Sequence, residues 1–189
     1  MQLLNAQHTI PKSIEKEALL ALSHYPELTS TTIAFQFKKK LRTSIMKAQP
    51  VFKDLLRSKR KRRYRILISE RFQLGDSLYE TKNLSSEILV GWLGHELGHV
   101  LDYKNRSSLN LLGFGLGYTF SGSFIKKAER TADSFAVSHG LSKQILAAKN
   151  FILTEAGIAE KYRNRIKRLY LSPDEIMIMA QEFADKAKD

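Results

Sequence analysis

Apolar residues along this chain recur at two spacings, about 3.6 residues and 2 residues, and the two are kept in separate stretches. Ile14, Ala18, Leu19 and Leu22 recur at helical spacing within residues 11–24, where Pro11 suits a helix start. Over residues 31–38 the period drops to two. Ile33, Phe35 and Phe37 lie on one side and Thr32, Gln36 and Lys38 on the other, which predicts a half-buried strand. Residues 40–56 read as a helix interrupted at Pro50. Residues 64–69 alternate again, with Tyr64, Ile66 and Ile68 on one face. A third strand is expected near residues 77–81, after the turn signal Gly75-Asp76.

The longest helical pattern covers residues 85–104 and opens on Ser85, Ser86 and Glu87, which suit a helix N-terminus and its dipole. At 100° per residue Ile88, Trp92, His95, His99 and Asp102 form one stripe. Gly91, Gly94 and Gly98 form a second stripe beside it. Each glycine inside a helix costs about 1 kcal/mol against alanine, so close approach of another backbone is the expected compensation. Residues 105–123 read as an irregular, glycine-rich segment. Helices follow over residues 123–139, with Gly140 ending the first, then 142–153, 158–170 and 173–186. The last opens on Ser172-Pro173-Asp174-Glu175.

A chain of 189 residues, 43% hydrophobic and 26% charged, has the material for one cored domain. With no cysteine, a disulfide scaffold and a thiolate-held metal are both excluded. Any transition metal must be held by carboxylates and by the histidines His8, His24, His95, His99 and His139. Residues 1–10 lack a charged n-region followed by an apolar h-region, and no apolar run approaches a bilayer span. A cytoplasmic protein is therefore expected. The formal charge of +12 adds an anionic partner to the picture.

Chemistry concentrates at His95-Glu96-Leu97-Gly98-His99, an H-E-x-x-H pattern. Residues four apart share a helix face, so the two imidazoles can share a metal ion, and Glu96 can serve as general base to the water activated there. A catalytic zinc site needs a third protein ligand. Asp102 and Asn105 stand where the glycine and the third histidine of a nearby-ligand variant would sit, so the third ligand must come from elsewhere. Glu129 and Asp133 also sit four apart, on a stripe shared with Ala132 and Ala136. Stacked carboxylates repel in an ordinary helix, and a metal with its imidazoles would remove the conflict. Glu129 is the candidate third ligand. Asp133 is the candidate acceptor for the far nitrogen of a ligand histidine.

These motifs resemble the gluzincin metallopeptidases, and most of all the HtpX and CAAX prenyl protease family. The resemblance runs over residues 31–170, with its specific part at His95–His99 and Glu129–Asp133. It implies an α+β, zincin-like domain: a small mixed sheet, an active-site helix, a glutamate helix and C-terminal helices. It also implies Zn2+ as cofactor, a peptide or protein substrate, and zinc-dependent endopeptidase activity. The family carries a later His-Pro…Arg-Ile segment. Here Arg165-Ile166 is similar and the His-Pro part is absent, as are the family's transmembrane helices. Arg165 is the first candidate to stabilise the tetrahedral oxyanion, with Tyr162 and His139 behind it. The strand at residues 77–81 is the candidate edge for an extended substrate.

Two features lie outside this chemistry. Arg57, Lys59, Arg60, Lys61, Arg62, Arg63 and Arg65 put seven cations in nine positions, and Lys38, Lys39, Lys40 and Arg42 form a second cluster. They read as solvated charge or as peripheral contact with an anionic membrane. No recognition helix or stacking pattern accompanies them, so specific nucleic-acid binding is not expected. Residues 109–124 alternate glycine with Leu111, Phe114, Leu116, Tyr118 and Phe120, which reads as a flap over the cleft or a shallow membrane insertion. A catalytically idle binding or sensing module on the same fold is the alternative to the peptidase, and a nucleic-acid-associated protein with a structural zinc comes last.

Overall fold

A computed structural model of the protein describes residues 8–41, 44–55, 57–108, 110–111, 121–154 and 158–186. Both alternating stretches are strands: β1 (Ile33–Lys38) and β3 (Tyr64–Ser69) pair in parallel, Ile33 opposite Tyr64 and Lys38 opposite Ser69. Between them in sequence lies β2 (Met46–Pro50), antiparallel to β3, which gives a three-stranded sheet ordered β1-β3-β2.

The helix expected over residues 40–56 is thus corrected to a strand followed by a short 3-10 turn at Phe52–Asp54. Sheet pairing overrides helix propensity here. Val51 N–H donates to Arg63 C=O and Ser69 N–H to Ile45 C=O, so odd-numbered positions of this segment face β3. Pro50 falls on the outward-facing positions, where a missing N–H removes no bond from the ladder.

The strand expected near residues 77–81 forms as β5 (Ser77–Glu80), but it does not edge the main sheet. It makes a separate hairpin with β4 (Arg71–Leu74), turned at Gly75, whose φ of 59° suits the first central position of a tight hairpin turn. Stacked Phe72 and Tyr79 seat this hairpin on Trp92 and Phe151. The edge strand beside the H-E-x-x-H motif is therefore β2. On the opposite side of the sheet, Thr9 bridges to Ala34 and covers β1.

Six longer helices occur among the described residues: α1 (Glu15–Ser23), α2 (Ser86–Asn105), α3 (Gly122–Ser138), α4 (Ser142–Thr154), α5 (Glu160–Leu169) and α6 (Pro173–Lys186). Ser85 caps α2 by accepting from Ile88 N–H, and Ser121 caps α3 by accepting from Phe124 N–H. Ser172 and Glu175 cap α6 reciprocally: Glu175 N–H donates to Ser172 Oγ, and Ser172 N–H to the Glu175 carboxylate. Gly140, at φ 79°, turns the chain from α3 into α4.

Helix α2 is the centre of the molecule and packs against α1, α3, α4 and β2. Its glycine stripe does what close approach requires. A Cβ at Gly91, Gly94 or Gly98 would come within 3.0 Å of Gln144 C=O, Leu141 Cδ1 or Ala132 C=O respectively. The helix thus lies against the backbone of α4 at Gly91 and of α3 at Gly98, and against the Leu141 side chain at Gly94. No helix among the described residues is long and apolar enough to cross a membrane. The flap expected over residues 109–124 lies largely outside the described residues, as does Arg42.

Candidate metal centre

Burying an ionised side chain is expensive unless it is paired and hydrogen-bonded, and α2 and α3 bury several against each other. Glu96, His99, Glu129 and Asp133 are all at most 7% exposed, and His95 is half-buried beside them. The α3 face that does this is Ala128, Glu129, Ala132, Asp133, Ala136 and Val137. Its alanines let the two backbones meet at Gly98, and its carboxylates then reach the histidine stripe of α2.

The expected constellation comes together. Glu129 Oε2 lies 3.1 Å from His95 Nε2 and 3.5 Å from His99 Nε2. His95 Nδ1 lies 2.8 Å from Asp133 Oδ1, the orienting contact expected of that carboxylate. The donor atoms of His95, His99 and Glu129 all fall within 4.8 Å of one another, so these three residues could hold a metal ion. Donors about 2.0–2.1 Å from a tetrahedral ion stand roughly 3.3 Å apart, which matches the two separations from Glu129. Ordinary hydrogen bonds have similar lengths. One further fact points past them: a single carboxylate oxygen faces both imidazoles.

Titration follows the same geometry. Burial opposes a charge on His95, but the hydrogen bonds it donates to Asp133 and Glu129 outweigh it and push the imidazole up to about 10. Burial would raise the Glu129 carboxyl, yet hydrogen bonds to His95 and His99 hold it far below the usual range. For Asp133, burial is likewise overcome, first by the charge of Lys149 and then by the bond to His95. Two buried carboxylates thus demand a cation between them, and a proton on His95 or a metal ion can each answer. Glu96 differs. Burial pushes its carboxyl above the ordinary range, with His99 and His95 opposing, the direction a general base needs. Ala48 N–H of β2 donates to Glu96 Oε2 at 2.5 Å and ties that carboxylate to the edge strand.

A cavity of about 100 Å3 opens beside the motif. His95, Glu96, Tyr162 and Arg165 all line it, with Ile45, Met46, Trp92, Ile145 and Ile152 as apolar wall. The structure therefore places both α5 candidates at the cleft, Arg165 exposed and Tyr162 half-buried. Burial raises the Tyr162 phenol, with Arg165 opposing. His139 is not there. Ten residues beyond Glu129, about 15 Å along the helix axis, its ring stacks on Tyr25 at 4.4 Å and pairs with Glu27. It serves the α1–α3 junction.

Sequence reasoning missed two contributors, Lys149 and β2. Lys149 Nζ lies 2.8 Å from Asp133 Oδ2 and is buried. Its signal was present: Ile145, Ala148, Lys149 and Ile152 share the buried face of α4, and a lysine in an apolar stripe needs a buried anion.

The basic clusters do not merge into one surface. The parallel register of β1 and β3 puts Lys38–Lys40 at one end of the sheet and residues 57–63 at the other, about 17 Å away. Arg62 is buried and donates to Arg106 C=O and Ser108 Oγ, while Arg57 and Arg63 pair with buried Asp54. Comparison with protein-family models, curated proteins and solved structures returned no match.

Proposed function

We propose that this protein is a zinc-dependent endopeptidase built on a zincin-like fold of the gluzincin kind. The observation that carries the reading is the convergence of His95 Nε2 and His99 Nε2 on one oxygen of Glu129, with Asp133 behind His95. A nitrogen-and-oxygen donor set without cysteine suits zinc. Charge agrees: Lys149 offsets Asp133, and the buried carboxylates of Glu96 and Glu129 supply two negative charges for a dication.

His95, His99 and Glu129 would hold the ion, which when bound polarises a peptide carbonyl and makes a water molecule acidic enough to attack it. Glu96, one oxygen fixed by the Ala48 amide, takes the water proton on the other and passes it to the departing amine. Arg165 and Tyr162, on the cavity wall, are the donors available to the oxyanion. The substrate backbone has a place as well. Met46, an outward-facing position of β2, lines the cavity, so an extended peptide would run past this edge, where Ala48 N–H is already given to Glu96 and Pro50 has none to give. The apolar wall beside it would take one aliphatic side chain.

Glu96→Gln keeps the shape and removes the base. The expected outcome is a fall of roughly 10²- to 10⁴-fold in peptide hydrolysis with zinc still bound. Cleavage at the wild-type rate would remove Glu96 from the mechanism. A zinc-loaded wild type that cleaves nothing across a broad peptide library would favour the idle binding module.

A further inference from the structure

Lys149 is 7% exposed and sits among the apolar residues of α4. Its ammonium finds two neighbours: Asp133 Oδ2 at 2.8 Å and the ring of Tyr170, 4.6 Å to the centroid. Asp133 Oδ2 also accepts Leu171 N–H at 3.0 Å, and Oδ1 takes His95 Nδ1. A continuous chain of contacts therefore crosses three helices, from Lys149 on α4 through Asp133 on α3 to His95 on α2. Its outer end is fixed in space, because Gly91 of α2 lies directly against the Gln144 carbonyl of α4.

We propose that Lys149 is a positioning residue acting through Asp133 on His95, an inference that rests on reading His95 as a metal ligand. A carboxylate has two oxygens and a rotatable plane. Lys149 and Leu171 N–H hold Oδ2, so Oδ1 stays aimed at Nδ1 and the ring presents Nε2 to the side shared with Glu129 and His99. The same ammonium offsets the charge of Asp133. Contacts behind a metal ligand are typically worth 10- to 100-fold in metal affinity. An ammonium one contact further out belongs at the low end of that range.

The test is a zinc titration of the full chain against a competing chromophoric chelator, in wild type, Lys149→Met, Lys149→Arg, Asp133→Asn and the double variant Asp133→Asn/Lys149→Met. Lys149→Met is expected to lower zinc affinity about 10-fold in the wild-type background, and Lys149→Arg, which restores charge and donors, to recover part of that loss. In the Asp133→Asn background, Lys149→Met should change affinity less than about 2-fold, because the group it acts through has lost its charge. Equal losses in both backgrounds would make Lys149 a packing residue and overturn the inference, as would no loss in either. Should Lys149→Met fail to fold with Asp133 left unpaired, the double variant still decides: affinity equal to that of Asp133→Asn supports positioning, and a further large loss overturns it. A wild type that takes up no zinc brings down the metal-centre reading itself, and this inference with it.

Discussion

The α2–α3 face and the segment 57–63 both gather charge, and they use it in opposite ways. On α2 and α3, residues four apart stack their side chains on one face, and two helices brought together at Gly98 aim those faces at each other. Unlike groups then converge: two imidazoles, two carboxylates and a buried lysine within a few contacts. Residues 57–63 have no such period. Their chain runs through a short 3-10 turn at Lys59–Lys61 into a strand, and the cations scatter. Arg62 turns inward to carbonyl and hydroxyl acceptors, Arg57 and Arg63 pair with Asp54, and Lys59 donates to Asn105 C=O. Charge density in a sequence is therefore a weaker guide to function than charge at a structural period.

The largest effect that sharpens this contrast is electrostatic. In protein stripped of metal by a chelator, folding favours a proton on His95, whose pKa is raised from 6.5 to about 10. That contribution is fully present below pH 6.5 and fades as the pH rises through about 10. Stability of the stripped protein is expected to drop by a few kcal/mol across that interval, at about 1.4 kcal/mol per pKa unit, when followed by denaturant titration. Zinc affinity should rise over the same interval, because the proton stops competing. A stability profile that is flat from pH 6.5 to 10 would mean that His95 is not held by its two carboxylates. No such interval is expected from the segment 57–63.

Next in size is the contact that brings the helices together. Gly98→Val puts branched carbons where Ala132 C=O already stands, and overpacking of this kind costs about 1–3 kcal/mol or more. Thermal unfolding should show it as a loss of several degrees, together with weaker zinc binding as α3 is pushed away. Gly122→Ala, at the start of α3 with open space around the added carbon, is the matched control and should be neutral or slightly stabilising. A Gly98→Val protein as stable as wild type would show that the helices need no backbone contact.

Smallest is the effect within the basic segment. Arg62→Ala removes buried bonds to Arg106 C=O and Ser108 Oγ and is expected to cost about 1–3 kcal/mol. Arg60→Ala, at an exposed position, should stay within about 0.5 kcal/mol. Equal effects from the two would show that the segment acts as undifferentiated surface charge.

Most of the site was readable in the sequence because its determinants are local. H-E-x-x-H spacing, the Glu129–Asp133 pair and the glycine stripe each fix a helix face without knowledge of the rest of the chain. Caps at Ser85 and Ser172 and the turn at Gly140 are local in the same sense. What was not readable depends on partners distant in sequence. Residues 46–50 carry good helix formers, and only pairing with β3 makes them a strand with Pro50 on its outward side. The hairpin containing β5 looked like a sheet edge because alternation does not say which sheet a strand joins. His139 looked available because its bond to Glu27 spans 112 positions. Lys149 was visible as an oddity on an apolar face, but its anion lies on another helix.

Metal content tests the central claim most directly. After exposure to zinc and exhaustive dialysis, wild type and Glu96→Gln are expected to retain about one zinc per chain, and folded Glu129→Ala to retain none. Full zinc occupancy in Glu129→Ala, or none in wild type, would contradict the assignment of His95, His99 and Glu129 as one metal centre.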